Sequence, residues 1–177
     1  MSGEVRGLTV IFTGNGKGKT SAALGVVLRA LGHGFRCKVI QFIKGEMDSG
    51  ELHLAGKFGG EFEIAQSGRG FTWLKDHTVE EHKAAAQDGL RMASTDMLSE
   101  NYRVLVLDEI LYALTKELVT LKQLYELIGK KPPSTHLILT GRAAPSELIE
   151  KADMVTSMES IKHPFKSGIP AQKGLDF

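Results

Sequence analysis

One glycine-rich segment of this chain reads Thr13-Gly14-Asn15-Gly16-Lys17-Gly18-Lys19-Thr20, and it lies between an apolar run and a segment with helical periodicity. Its three glycines within five residues allow positive φ angles, so successive backbone N–H groups can turn inward around a polyphosphate. The helix that follows adds the N–H groups and the dipole of its first turn. The segment therefore predicts a nucleoside triphosphate site where a strand meets a helix.

This segment departs by one position from the P-loop pattern, which requires glycine, four residues and then Gly-Lys-Ser or Gly-Lys-Thr. Gly18-Lys19-Thr20 fits the second half, but Thr13 stands where the first glycine should be. Lys19 is expected to bind phosphate oxygens and Thr20 a magnesium ion; the alternative is a plain glycine-rich turn with surface lysines. The predicted ATP-binding residues are Gly14, Asn15, Gly16, Lys17, Gly18, Lys19, Thr20 and Ser21.

Around this loop, apolar runs of strand length alternate with helical segments, which is typical of a parallel sheet covered by helices. Because every residue of Val104–Leu107 is apolar, that run is expected in the middle of the sheet, covered on both faces. The pattern predicts a three-layer α/β fold with a mainly parallel central sheet. The predicted strands are Leu8–Phe12, Lys38–Ile43, Phe62–Ala65, Val104–Leu107, His136–Leu139 and Met154–Met158.

The helical segments carry recognisable start signals, because Thr78 and Thr120 each open a capping box. Two long stretches, Lys44–Gly60 and Gln66–His77, read as irregular, and loops of this length are more often functional than idle. With no internal repeat or linker, residues 1–177 are predicted to form a single domain. The predicted helices are Lys19–Leu31, one that begins at Thr78, Thr120–Lys130 and Pro145–Ala152.

A second chemical signal follows the Val104–Leu107 run, because Asp108 and Glu109 come directly after this strand. Ligands of open α/β folds bind at the carboxyl ends of the strands. Together with Thr20, the two carboxylates predict a magnesium or water-positioning site, although the end of the strand leaves open which of them approaches the metal. The alternative is that one of them caps the next segment.

A third signal is the loop Gly68-Arg69-Gly70-Phe71-Thr72-Trp73, which follows the third predicted strand. One interpretation is that Phe71 and Trp73 cover the core beneath the loop; the other is that they form a stacking surface for a flat ligand. Further along the chain, Ile161–Gly174 resembles a solvated tail, but its apolar residues Phe165, Ile169 and Ala171 favour docking onto the domain.

Composition narrows the classes of function. The 177 residues include 22 Lys and Arg and 21 Asp and Glu, and this balance of +1 argues against nucleic acid or an anionic membrane as the main partner. The single cysteine, Cys37, predicts a buried thiol in a reducing compartment, and with no signal peptide or apolar span we expect a cytoplasmic protein. Neither a Cys or His metal cluster nor a nucleophile elbow is present in the sequence.

Several segments together resemble the P-loop class of corrinoid adenosyltransferases, also called cob(I)yrinic acid a,c-diamide adenosyltransferases. The glycine loop alone occurs in many enzymes, but the ordered succession of Gln41-Phe42-Ile43-Lys44-Gly45, Gly70-Phe71-Thr72-Trp73 and Gly168-Ile169-Pro170-Ala171-Gln172 is highly specific. The other matching segments are the P-loop, Ala30-Leu31-Gly32-His33-Gly34, Val106-Leu107-Asp108-Glu109-Ile110, Leu139-Thr140-Gly141-Arg142 and Lys162-His163-Pro164-Phe165.

The resemblance implies a RecA-like P-loop NTPase fold, which binds MgATP and transfers its 5'-deoxyadenosyl group to the cobalt of a corrinoid, with release of triphosphate. It implies catalytic roles for Lys19, Phe71 and Trp73, with the corrinoid under the loop that carries the two aromatic residues. It also implies a role in adenosylcobalamin biosynthesis or salvage, a homodimer and an electron-donating flavoprotein reductase.

Two expectations remain open beside this resemblance. Some family members close the active site with a longer N-terminal extension, whereas about seven residues precede the first predicted strand here, so the partner subunit or the Lys44–Gly60 loop can take that role. From the P-loop alone, the alternative function is a phosphotransferase or ATPase that cleaves the γ-phosphate. A nucleic-acid motor is a further alternative, which the near-zero net charge disfavours.

Overall fold

A computed structural model describes residues 6–45, 48–74 and 76–177 of the chain. Most of the short segment before the first predicted strand, positions 46–47 of the first irregular stretch and position 75 of the second lie outside the described residues. All six predicted strands are confirmed to within two residues at either end. The strands are β1 Thr9–Thr13, β2 Cys37–Gln41, β3 Phe62–Gln66, β4 Val104–Asp108, β5 His136–Thr140 and β6 Met154–Ser157.

The strands form one sheet in the order β3-β2-β4-β5-β1-β6, and every neighbouring pair is parallel. Strand β5 therefore lies between β1, which leads into the glycine loop, and β4, which ends at Asp108. Because all six strands run in the same direction, their carboxyl ends share one edge of the sheet. This edge collects the glycine loop and the two carboxylates.

Helices connect consecutive strands, as parallel pairing requires. The predicted helices are confirmed, including both capping boxes, in which Thr78 and Thr120 accept from the N–H groups of Glu81 and Gln123. Two short helices were not predicted, and the interpretation of residues 44–60 as wholly irregular is wrong. The helices are α1 Lys19–Leu31, α2 Gly50–Ala55, α3 Val79–Ser99, α4 Ile110–Thr115, α5 Leu121–Gly129 and α6 Ser146–Lys151, followed by a 3-10 helix at Pro164–Ser167.

The two faces of the sheet carry separate apolar cores. On one face, Val104 and Val106 of β4 pack with Val27 of α1. On the other face, Leu105 and Leu107 pack with helical residues such as Met97 of α3. Alternate residues of one fully buried strand thus serve opposite cores, which confirms the three-layer α/β architecture.

The described helices also bear on membrane association. Within residues 6–45, 48–74 and 76–177, no helix combines the length and the apolar character that a membrane crossing requires.

Cys37 provides a direct test of this packing. Its side chain is fully buried, and burial raises the pKa of the thiol to about 12. We therefore expect an aromatic disulfide reagent to leave the folded protein unlabelled, because only an exposed thiolate attacks such a reagent. The absorbance of the released thiol measures the reaction, and the same protein in guanidinium chloride should react with one equivalent. Labelling of the folded protein at the rate of a free thiol would contradict the packing of β2.

Candidate active site

The glycine loop begins one residue later than the P-loop pattern suggests. Thr13 is the last residue of the extended strand β1, and the first positive φ angle, 93°, occurs at Gly14. A threonine is therefore tolerated where the pattern requires glycine, because its backbone stays in the β region. Its hydroxyl also accepts a hydrogen bond from the N–H of Ala144 at 3.2 Å. Gly18, with φ 113°, then caps the start of α1.

Lys19 is the first residue of α1 and lies within the loop rather than on the surface. Its Nζ donates to the carbonyl oxygens of Gly14 at 3.0 Å and Gly16 at 2.8 Å, and only 6% of the residue is exposed. Burial lowers the pKa of Lys19, and the neighbouring carboxylate of Glu109 opposes this shift. The interpretation of this segment as a turn with surface lysines does not fit Lys19.

Asp108 is the carboxylate that contacts the P-loop. It is 2% exposed, and its Oδ1 accepts hydrogen bonds from the hydroxyls of Thr20 and Thr140, each at 2.8 Å. Burial raises the pKa of Asp108, although both hydroxyl hydrogen bonds favour its ionised form. The same Thr140 hydroxyl accepts from the N–H of Glu109 at 2.8 Å, so one side chain fixes both acidic residues.

Glu109 occupies the turn between β4 and α4. Its backbone is left-handed, with φ 59°, and its side chain makes no capping hydrogen bond, so the capping interpretation does not apply to this side chain. The side chain lines the cleft beside Lys19. Burial, followed by the repulsion of Asp108, raises the pKa of Glu109. The two carboxylates therefore lie in different environments: Asp108 is buried at the end of β4, and Glu109 lines the cleft.

The end of β5 determines how closely α4 approaches this edge. Gly141 has φ 136°, and a Cβ atom there would lie 2.7 Å from the Cβ of Leu111. Only glycine therefore permits both this backbone angle and this contact. Next to it, Arg142 lines the cleft. Thr140 thus holds the two acidic residues, Gly141 permits the close approach of α4, and Arg142 adds a positive charge to the cleft.

These elements surround a cleft of about 500 Å³, which we call the P-loop cleft. Six of the eight predicted ATP-binding residues line it, whereas Gly14 and Asn15 do not. Gly14 instead supplies a carbonyl oxygen to Lys19. The cleft is lined by Gly16, Lys17, Gly18, Lys19, Thr20, Ser21, Leu24, Lys44, Gly50, Glu51, Leu54, Glu109, Arg142, His163, Gly174, Leu175, Asp176 and Phe177.

Sequence reasoning marked Lys44–Gly60 as a functional stretch, but it assigned no site residue to either of two parts of the P-loop cleft. The first is α2, which contributes Glu51; this carboxylate accepts from Gln41 Nε2 at 3.1 Å and pairs with Lys44. The second is the segment Gly174–Phe177, in which Asp176 pairs with Lys17 of the P-loop. The apolar spacing of α2 is a weak signal in six residues, and nothing in the sequence pairs Asp176 with Lys17.

Directly after the tail Ile161–Gly174, Asp176 pairs with Lys17 of the P-loop, and Leu175 and Phe177 line the same cleft. Phe165, Ile169 and Ala171 are all exposed, so the expectation that these side chains would pack onto the domain is wrong. Asp176 accepts from the N–H of Gln172 at 2.7 Å, and this bond is the main cause of its lowered pKa. A local turn therefore presents the carboxylate to Lys17.

Phe71 and Trp73 form an exposed aromatic pair outside the P-loop cleft. Their ring centroids are 4.1 Å apart with an interplanar angle of 15°, and 37% and 58% of the two residues are exposed. This exposure does not fit the interpretation that they cover the core. Both rings contact Tyr112 of α4, the helix that follows Glu109. A second cavity of about 780 Å³ adjoins the same loop at Arg69 and Leu74.

Comparisons with known proteins identify the family of the chain. The family described as "ATP:corrinoid adenosyltransferase BtuR/CobO/CobP" matches residues 5–177. A corrinoid adenosyltransferase of Sinorhizobium sp is 41% identical over 98% of this chain and 82% of its own length. Those of Pseudomonas aeruginosa and Escherichia coli K12 are 40% and 36% identical, each over 98% of this chain and over 85% and 87% of their own lengths.

A solved structure supports the fold independently. Flagellar accessory protein FlaH from Methanocaldococcus jannaschii superposes with a TM-score of 0.59 and 11% sequence identity, over 88% of this chain and 72% of its own. At this identity the likeness concerns the fold alone, and it agrees with the RecA-like architecture that the family resemblance implies. The full-length family match, together with the P-loop and acidic strand end, identifies the function: the chain belongs to the ATP:corrinoid adenosyltransferase family and is a transferase.

Proposed function

We propose that the P-loop cleft binds MgATP and that the exposed pair Phe71 and Trp73 contacts the corrinoid substrate. The observation that carries this proposal is the connection between the two sites: Tyr112, which contacts both aromatic rings, lies on the helix that begins after Glu109 at the cleft. A nucleotide and a flat macrocycle can thus bind to neighbouring surfaces. Family membership supports adenosyl transfer and does not favour γ-phosphate cleavage.

In the proposed reaction, Co(I) of the corrinoid attacks the 5' carbon of ATP. The cobalt donates the electron pair that forms the cobalt–carbon bond, the carbon–oxygen bond breaks, and triphosphate leaves with its bonding pair. Co(I) is a strong nucleophile and loses no proton, so the step needs no general base. The protein must instead align the reacting atoms and stabilise the leaving group. Two cations of the cleft, Lys19 and Arg142, can serve this purpose together with the N–H groups of the loop. Two further lysines of the cleft, Lys17 and Lys44, are paired with Asp176 and Glu51.

The residues at the sheet edge fit magnesium. No group of three or more His, Cys, Asp or Glu side chains forms a metal site in the described part of the chain, so a cation here would also need ligands from ATP. The Thr20 hydroxyl directs its proton to Asp108, which leaves its oxygen lone pairs for a hard cation. We propose that Thr20, with Asp108 or Glu109, holds Mg2+. When bound, the ion supplies positive charge to the triphosphate.

Asp108→Asn tests this assignment. We expect the Mg2+ concentration for half-maximal activity to rise about tenfold, because the variant loses one negative charge beside Thr20 and keeps the shape of the side chain. A magnesium titration of the initial rate at saturating ATP measures the effect. Asp88→Asn, on the exposed surface of α3, is the control. An unchanged magnesium requirement in Asp108→Asn would remove Asp108 from the metal site.

Further proposals concern the setting of the enzyme. We propose that the enzyme is a cytoplasmic homodimer. We also propose that a flavoprotein reductase supplies the electron, because Co(II) of the corrinoid needs one electron to become Co(I). The family resemblance described above supports the homodimer and the reductase. Sedimentation at several protein concentrations tests the dimer.

The decisive experiment is an anaerobic incubation of the protein with MgATP and chemically reduced cob(I)alamin. Formation of a photolabile cobalt–carbon product with stoichiometric triphosphate supports the proposal. The formation of ADP and phosphate without a change in the cobalt spectrum would instead identify a γ-phosphate enzyme. Omitting the corrinoid controls for background hydrolysis of ATP.

A further inference from the structure

Tyr112 connects the aromatic loop to α4 through its hydroxyl. The backbone N–H of Thr72 donates to Tyr112 Oη at 3.1 Å, and Thr72 Oγ1 lies 2.8 Å from the same oxygen. Both groups are hydroxyls, so either oxygen can be the donor of this second hydrogen bond. Two hydrogen bonds therefore converge on Thr72, the residue between Phe71 and Trp73.

The ring of Tyr112 contacts both members of the aromatic pair. Its centroid lies 5.6 Å from that of Phe71 and 5.9 Å from that of Trp73, with interplanar angles of 84° and 79°. Edge-to-face contacts in this range are favourable for aromatic side chains. One tyrosine thus holds the backbone between the two rings and also contacts each ring.

Tyr112 itself lies on a firmly packed element. Its N–H donates to the carbonyl oxygen of Glu109 at 3.1 Å, within the first turn of α4. The neighbouring Ile110 and Leu111 are fully buried, and Gly141 lets the helix approach β5 closely. The loop also has an independent anchor, because the N–H of Gly70 donates to the carbonyl oxygen of Ile43 at 2.8 Å. The aromatic pair is therefore fixed relative to the P-loop cleft.

We propose that Tyr112 is a positioning residue for the corrinoid step, which holds the stacked pair of Phe71 and Trp73 at a set place beside the nucleotide. This inference rests on the proposed function. A pair that is ordered before the substrate arrives loses less conformational freedom on binding. The hydroxyl of Tyr112 thereby acts on corrinoid binding and alignment without contact with the reacting atoms.

The test compares Tyr112→Phe with Tyr125→Phe, which removes a tyrosine hydroxyl on α5, outside the P-loop cleft. Trp73 is the only tryptophan of the chain, so its fluorescence reports on the loop directly. In Tyr112→Phe we expect stronger acrylamide quenching and lower anisotropy of Trp73, with a melting temperature lowered by only a few degrees. We also expect a corrinoid KM about tenfold higher, since two hydrogen bonds are lost, and an unchanged KM for ATP. Tyr125→Phe should match the parent in every measurement.

Thr72→Val provides a second variant, which removes Oγ1 and keeps the backbone N–H. Its effect on the Trp73 fluorescence and on the corrinoid KM should be smaller than that of Tyr112→Phe. In the double variant, the change in each measurement should be less than the sum of the two single changes, because the two side chains share one hydrogen bond. An unchanged Trp73 signal in Tyr112→Phe would overturn the inference, as would a loosened Trp73 with an unchanged corrinoid KM. The fluorescence needs no corrinoid, so it tests the positioning of Trp73 even if the parent protein forms no cobalt–carbon product and the proposed function fails.

Discussion

Lys19→Ala is expected to lower kcat/KM for ATP about 10³-fold, which corresponds to about 4 kcal/mol of lost transition-state stabilisation. The expectation follows from the position of the ammonium group, which lies buried within the P-loop on the carbonyl oxygens of Gly14 and Gly16. A buried cation at this place stabilises a triphosphate far more than an exposed lysine does. Initial rates against ATP concentration and direct ATP binding by calorimetry measure the loss.

The control for Lys19→Ala is Lys122→Ala, since Lys122 is exposed on α5 and faces solvent. Circular dichroism and a thermal melt show whether the loop variant keeps its fold, because Lys19 also holds the loop together. An ATP affinity equal to that of the parent would contradict the assignment of the glycine loop as a triphosphate site.

Trp73→Ala is expected to lower turnover about 10²-fold when Co(II) corrinoid and a reductant are supplied, and far less when Co(I) is supplied. The proposed reason is that Phe71 and Trp73 pack against the corrin face and displace an axial ligand from cobalt, which makes Co(II) easier to reduce. A 10²-fold change corresponds to about 2.7 kcal/mol, which is within the range for the burial of one large aromatic side chain against a ligand. Parallel assays from the two oxidation states, with ATP affinity measured separately, test the prediction.

Phe35→Ala is the matched control for this variant. Phe35 is about as exposed as Phe71, but it precedes β2 at the opposite edge of the sheet. It should therefore leave both assays unchanged. Equal losses of ATP affinity and of turnover from Co(I) and Co(II) in Trp73→Ala would refute a specific role at cobalt.

The sheet was predictable because its signal is local and strong. A strand that is buried on both faces must be apolar at every position, and Val104–Leu107 meets this condition. The longer helices were also predictable, because the sequence contains capping boxes at Thr78 and Thr120 and apolar residues at helical spacing. These signals depend only on residues that are close together in the chain, so they can be recognised from the sequence alone.

The short helices could not be predicted for the opposite reason. Six residues make fewer than two turns, so α2 and α4 have little periodicity and gain their stability from the packing around them. The turn into α4 requires Glu109 in a left-handed conformation, which is unusual for a non-glycine residue. Contacts with residues distant in the chain hold this geometry: the Glu109 N–H donates to the Thr140 hydroxyl, and α4 packs closely against Gly141.

The sequence motifs of the candidate site were predictable, but the contacts between their residues were not. The glycine loop, the acidic strand end and the aromatic loop are visible as residue types at a fixed spacing. Their connections are not, because the residues concerned are far apart in the chain: Thr20 contacts Asp108, and Thr72 contacts Tyr112. The sequence therefore left the choice between Asp108 and Glu109 open, whereas the structure shows that Asp108 contacts Thr20.

The place of β5 between β1 and β4 has a mechanical consequence. Its backbone ladder aligns Ile11 with Leu139 on one side and Leu107 with Leu139 on the other. The pairing of β5 with both strands therefore fixes the distance between the glycine loop and the acidic pair. A slip of β5 by one residue would displace Thr140, Gly141 and Arg142 together and turn each side chain to the other face. Because β5 is a buried strand inside the sheet, variants that weaken its packing should lose activity and tertiary structure in the same thermal transition.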